Sequence, residues 1–310
     1  VAHHTGMTLI LPNPANSSQY YLFTNNTDGK YNQYYHVIDA YKNDGQGEVI
    51  VVNQLFHEKV FSPLRATYDK KNNRYWILYT SMEDNSIHAK TLDKNGISEY
   101  SVAIETENAL DRLQFLSFNF SPSGNLLFTF IEDNFKLYQF NKETGNLDLI
   151  LKWTMEKQYA GNAEFSPDET KIYLMLYTSD ENGINWNWED KYLSQIDIST
   201  KDSLSIENSQ KKLFDLDPYF GGDDLELAID GRIYFIFDGT FYRIEEPNKT
   251  FPDCALEEFL KFPSQNISGG IFLPNMASSF YDFPLYRPKT KFQAIPDTTL
   301  CSGEVIAIGN

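Results

Sequence analysis

The chain has 310 residues, of which 41% are hydrophobic, 15% aromatic and 22% charged, so it can bury a full core and fits one large all-β or α/β domain better than a disordered segment. A formal charge of -17 speaks against nucleic acid as a partner, since phosphate binding needs clustered Lys and Arg, and against anionic membrane surfaces. No stretch approaches the roughly 18 apolar residues of a membrane-spanning helix, and Cys254 and Cys301 lack the CxxC spacing and nearby histidines of a zinc site.

In chain order, apolar strands, polar turns and aromatic strands alternate. "TLILP" leads through a turn into "NSSQYYLFT", and a third strand and second turn follow in "YHVIDAYKNDGQGEVIVV". The same series runs through "LRATY", "KNNRYWILY" and "IHAKTLDKNGISEYSVAI", then through "LSFNF", "SPSGNLLFTF" and "KLYQFNKETGNLDLILKW". "GNAEF", "SPDETKIYLML" and "YLSQIDISTKDSLSI" form a fourth unit, and "LELAI" with "AIDGRIYFIF" opens a fifth. Short polar side chains and glycine fill the turns because they relieve the strain of chain reversal. Tyr21, Trp76, Leu127, Tyr173 and Tyr234 are taken as equivalent positions, 55, 51, 46 and 61 residues apart, a blade-sized period.

A four-stranded antiparallel meander cannot cover both its faces alone, and radial stacking solves this, so the repeat predicts an all-β fold, a β-propeller with five complete blades. A two-sheet sandwich also shows short strands and regular turns, but it does not require a repeated four-strand unit. "ISGGIFLPNM", residues 267–276, reads as a further innermost strand that closes the ring. Residues 1–7 are too few to complete a blade, so one or two blades' worth of chain is expected upstream and six or seven blades in the full protein.

Propeller chemistry sits at the central channel, just before or after each innermost strand. The SxDxGxxW turn, a GxSxG elbow, HExxH and a GxxxxGK[ST] loop are all missing from the sequence. Asp223 and Asp224 in "GGDDLELAI" stand where an inner strand begins. Such a pair serves as acid and base or holds calcium, against the plainer reading of solvated loop carboxylates. His3 and His4 are adjacent and would point to opposite faces of a strand, while His36, His57 and His88 fall in outer-strand segments. Trp186 and Trp188, in the polar insertion "DENGINWNWED", offer flat surfaces for stacking on sugar rings or anchoring a protein, unless they fold back over the blade edge.

Taken together, "TLILPNPANSSQYYLFT", "HVIDAYKNDGQGEVI", "EKVFSPLRATYDKKNNRYWIL", "FNFSPSGNLLF", "GNAEFSPDETKIYL", "LELAIDGRIYF" and "GGIFLPNMASSFYDF" resemble, in this order, the secreted β-propeller domain common in Bacteroidetes surface proteins. The likeness covers residues 8–284. It implies a domain at residues 1–284, an extracellular or outer-surface location and export by the type IX secretion machinery, often with a role in gliding. "FQAIPDTTLCSGEVIAIGN" resembles the start of a PKD or immunoglobulin-like module, so residues 285–310 read as a linker and the opening of such a module. Cys301 would then pair further downstream, or else with Cys254. "DSL" at Ser203 and "DTT" at Thr298 resemble the short motif that Bacteroidetes use for O-glycosylation.

These readings lead to a non-catalytic propeller, not an enzyme, serving adhesion or gliding beside other modules of the same polypeptide and binding a surface glycan or protein. No resident metal or cofactor is expected beyond the calcium reading of the acidic pair. The contrasting expectation is an extracellular hydrolase or lyase acting on glycans or lactones at the central channel.

Overall fold

The computed structural model describes residues 8–25, 31–60, 64–84, 86–99, 102–104, 117–131, 133–179, 188–216, 224–237, 239–261 and 275–276. They form an all-β propeller of five blades, each an antiparallel meander. Blade 1 is β1 (Leu9–Asn13), β2 (Asn16–Asn25), β3 (Gln33–Asp39) and β4 (Glu48–His57); blade 2 is β5 (Arg65–Asp69), β6 (Arg74–Ser81) and β7 (Ser86–Asp93), edged by β8 (Gly96–Ile97) and β9 (Val102–Ile104). Blade 3 holds β10 (Ser117–Phe120), β11 (Leu126–Ile131), β12 (Asn134–Phe140) and β13 (Leu147–Thr154); blade 4 holds β14 (Gln158–Phe165), β15 (Lys171–Ser179), β16 (Trp188–Asp197) and β17 (Lys211–Leu216). Blade 5 is β18 (Leu225–Leu227), β19 (Ile233–Phe237), β20 (Thr240–Ile244) and β21 (Leu256–Lys261).

The residues expected to close the ring do something different from starting a sixth sheet. β22 (Asn275–Met276) pairs in parallel with β1, Leu9 opposite Asn275 and Ile10 opposite Met276, so it extends the inner edge of blade 1. Residues 285–310 lie outside the described residues.

Second strands are buried on both faces because each blade is sandwiched between neighbours; in "RYWILYTS" of β6 every residue after Arg74 is buried. Four apolar clusters fill consecutive seams. Phe23, Phe56, Tyr68 and Tyr79 join blades 1 and 2, and Trp76, Leu78, Phe120 and Phe140 join blades 2 and 3. Phe128, Trp153, Phe165 and Leu174 join blades 3 and 4, and Tyr173, Leu193, Phe235 and Ile244 join blades 4 and 5. Edge-to-face contacts such as Trp76 on Phe140 at 5.9 Å and Phe56 on Tyr79 at 5.3 Å add directionality to burial worth roughly 1.5–3 kcal/mol per large side chain.

The same faces refine the repeat. Trp76 and Tyr173 face the following blade, and the residue of blade 3 that does so is Phe128, whereas Leu127 faces blade 2. Turns of blade 3 are fitted to blade 2. Gly124 holds φ +67 and a Cβ there would lie 1.7 Å from Thr67 Oγ1, while a Cβ on Gly145 would lie 2.6 Å from the Trp76 ring. Trp76 Nε1 donates to Lys142 O at 2.8 Å, which locks that approach.

Candidate functional site

The innermost strands β5, β10, β14 and β18 run side by side in succession around the axis. A strand turns alternate side chains to opposite faces, and here one set is apolar: Ala66 and Tyr68, Phe118 and Phe120, Ala163 and Phe165, Leu225 and Leu227 all enter the seam with the preceding blade. The other set faces the following blade and is polar. It comprises Arg65 and Thr67, Ser117 and Asn119, Asn162 and Glu164, and Asp224 and Glu226. Blade 1 puts Leu9 and Leu11 at the matching places, both buried. The result is two polar layers at the axial end of the seams, one pleat repeat or about 6.7 Å apart along the strands.

Glu164 is the centre of the deeper layer, only 5% exposed. Its Oε1 accepts from Phe165 N at 2.8 Å, and its Oε2 accepts from Asn119 Nδ2 at 3.2 Å and from Leu227 N at 3.3 Å, so groups from three blades meet on one carboxyl. Asn119 is fixed in turn, donating to Ala163 O at 3.0 Å and accepting from Phe120 N at 3.0 Å. Burial pushes the Glu164 carboxyl up to about 7, although the N–H groups of Phe165 and Leu227, the Arg65 guanidinium and Asn119 all pull the other way. Loss of hydration by the charged form outweighs those partners. Arg65 is 9% exposed and donates from Nη1 to Leu64 O at 3.4 Å. A carboxyl that titrates near neutrality can take or give a proton at physiological pH, and the Arg65 guanidinium is an N–H donor able to polarise a carbonyl oxygen.

Of the acidic pair, Asp224 is in the first layer, buried at 7% exposure just ahead of β18, and Asp223 lies outside the described residues. Trp188 opens β16 opposite Ser179, and Trp186 lies outside the described residues. Ser203 is the first residue of the helix α1 (Ser203–Ser209), whose N-cap Asp202 accepts from Ser205 N at 2.9 Å, so the motif's acidic residue caps a helix; Thr298 lies outside the described residues. Cys254 is buried in the blade 5 core and has no disulfide partner among the described residues, Cys301 being outside them. Among the described residues no three His, Cys, Asp or Glu side chains form a metal-holding group.

The histidines fall on or near outer strands. His36 Nε2 meets Thr24 Oγ1 at 3.1 Å, His88 Nε2 meets Asp84 Oδ2 at 2.7 Å, and the His57 ring lies 4.7 Å from that of Tyr79 at the seam of blades 1 and 2. His3 and His4 are outside the described residues.

Glu164, Arg65 and Asn119 were not among the expected site residues. The signal was a polar residue inside otherwise apolar strands, at the same repeat position in "LRATY", "FNFSP", "AEFSP" and "ELAID". Weighting the paired aspartates of the loop hid it.

No protein-family model matches the chain, and no curated protein matches it. Several solved propellers are similar in shape. A candidate 6-phosphogluconolactonase from Bacteroides fragilis aligns over 87% of this chain and 85% of its own at 11% identity, TM-score 0.46. The periplasmic gluconolactonase of Pseudomonas aeruginosa aligns over 81% and 70% at 12% identity, TM-score 0.47. An exo-β-1,3-galactanase from Phanerochaete chrysosporium aligns over 82% and 62% at 9% identity, TM-score 0.47. At these identities the likeness concerns the fold. The expectation of a non-catalytic, adhesive chain that is not an enzyme is nevertheless corrected. What speaks against a spacer is the chain's own axis, which carries a buried, near-neutral carboxyl with cationic and amide donors about it, an expensive arrangement for a purely structural domain; the three proteins just described bear hydrolase names of their own.

Proposed function

We propose that the domain is a hydrolase that opens sugar lactones at the axial end of its blades. The observation that carries this reading is Glu164, a buried carboxyl held at about 7 between strands of three blades. Ionised, Glu164 takes a proton from water as the water oxygen bonds to the lactone carbonyl carbon. Arg65, whose guanidinium carries several N–H groups, supplies donors for the oxygen that gains charge, while Asn119, bonded to Glu164 Oε2, holds the carboxyl in place. The ring C–O bond then breaks, and protonated Glu164 returns its proton to the leaving oxygen, giving the open hydroxy acid and restoring the starting state. Asp224, one layer nearer the start of the strands, orients the sugar hydroxyls.

The chain's resemblance to secreted Bacteroidetes surface propellers supports an exported setting, with residues 285–310 leading into a further module and the type IX machinery as the export route. The test of activity is acid release from glucono-δ-lactone in a pH-stat, corrected for the buffer rate. Turnover that falls roughly 100- to 10,000-fold in a folded Glu164→Gln variant supports the reading. Wild-type protein that adds nothing to the buffer rate overturns it.

A further inference from the structure

We infer that the site, read as a lactone hydrolase above, takes uncharged sugar lactones and rejects their phosphate esters; the inference rests on that reading. Among the described axial positions the ionisable side chains are Arg65, Glu164, Asp224 and Glu226, one cation against three carboxyl groups. Leu225 and Leu227 face blade 4, so Asp224 and Glu226 project from the opposite side of β18 while Glu164 lies against its near side, bonded to Leu227 N at 3.3 Å. β18 is thus flanked by carboxyl groups on both sides.

Arg65, the one cation among the described axial positions, is already engaged. Arg65 is buried, donates to Leu64 O at 3.4 Å and places its charge on Glu164, which leaves no second Arg or Lys at a described axial position to make the fork that a phosphate needs. Lys191, the deeply buried lysine of blade 4, stands in the third strand from the axis with its ammonium over the rings of Tyr177 at 5.1 Å and Phe237 at 5.9 Å. Lys171, likewise buried, is turned to Asp197 at 3.4 Å near the far end of the inner strands. The chain's overall charge of -17 adds a long-range field of the same sign. A doubly charged phosphate brought into this layer meets like charge on several sides, and sites discriminate through such repulsion as much as through attraction.

The experiment compares kcat/KM of the full chain for glucono-δ-lactone and for 6-phosphoglucono-δ-lactone, with Glu226→Gln as a second protein. The neutral lactone is expected to win by about 100-fold or more, the scale of like-charge juxtaposition at a contact, and Glu226→Gln is expected to narrow the gap by about tenfold. Equal turnover, or preference for the phosphate ester, overturns the inference and leaves the hydrolase reading standing. Turnover of neither compound removes the hydrolase reading, and the inference falls with it.

Discussion

Replacing Glu164 by glutamine changes how the domain's stability responds to pH. In the folded chain the carboxyl is raised from its ordinary 4.5 to about 7, so the native state holds its proton more tightly than the unfolded one. The stability from this group is fully present below 4.5 and is lost as pH rises through about 7, after which it stays constant. At about 1.4 kcal/mol per pH unit, that interval amounts to about 3 kcal/mol. The side chain is 5% exposed, so solvent screening takes little from the figure. Glutamine removes the titration, and it also sets an amide NH2 against one of the N–H donors of Phe165, Asn119 or Leu227, at a pH-independent cost of about 1–3 kcal/mol. Urea unfolding of both proteins at half-unit steps from pH 4.5 to 8 separates the two effects. The wild-type minus variant difference should shrink by about 3 kcal/mol between the ends of the range. A difference that stays flat would refute the claim that burial dominates at Glu164.

Three other substitutions test the seams. Gly124→Ala places a methyl 1.7 Å from Thr67 Oγ1 in a left-handed backbone and should cost more than 2 kcal/mol, roughly the sum of strain and overpacking; Thr67→Ala in the same chain should recover part of the lost Tm. Gln195→Leu removes three hydrogen bonds, one within blade 4 to Tyr173 Oη and two across to blade 5 at Lys249 O and Phe251 N, and should lower unfolding free energy by about 3 kcal/mol. His57 is held below its ordinary 6.5 by burial and by Lys90 and His88, against the opposing pull of Glu83 and Asp84, and its Nε2 is buried without a hydrogen-bond partner. Its folded form therefore binds protons less readily than the unfolded one, and its contribution to stability is lost as pH falls below about 6.5. His57→Phe, which keeps the contact with Tyr79, should flatten the Tm loss between pH 7.5 and 5, and an unchanged loss would assign acid sensitivity elsewhere.

The repeat was legible because propeller physics writes itself into local pattern. Each turn needs Gly, Asn, Asp or Ser, and each second strand needs apolar residues on both faces, as "RYWILYTS" has. The pairing of residues 275–276 with β1 was not legible, since a two-residue parallel contact across the ring leaves no periodicity in "LPNM". The assignment of Leu127 in place of Phe128 has a similar cause: neighbouring apolar residues of a strand buried on both faces look alike in sequence, and only the face that each side chain takes decides between them. Glu164 escaped notice because no motif surrounds it; its meaning comes from Asn119 and Leu227, which are 45 and 63 residues away in sequence.

The proposed role of the Glu164 carboxyl as the base of a hydrolase is tested most directly by the pH profile of kcat/KM for glucono-δ-lactone. The rate should rise with pH to a plateau, with its break at about 7 as the buried carboxyl ionises, and the break should vanish with most of the rate in Glu164→Gln. A profile whose break persists in that variant, at undiminished rate, would contradict the claim.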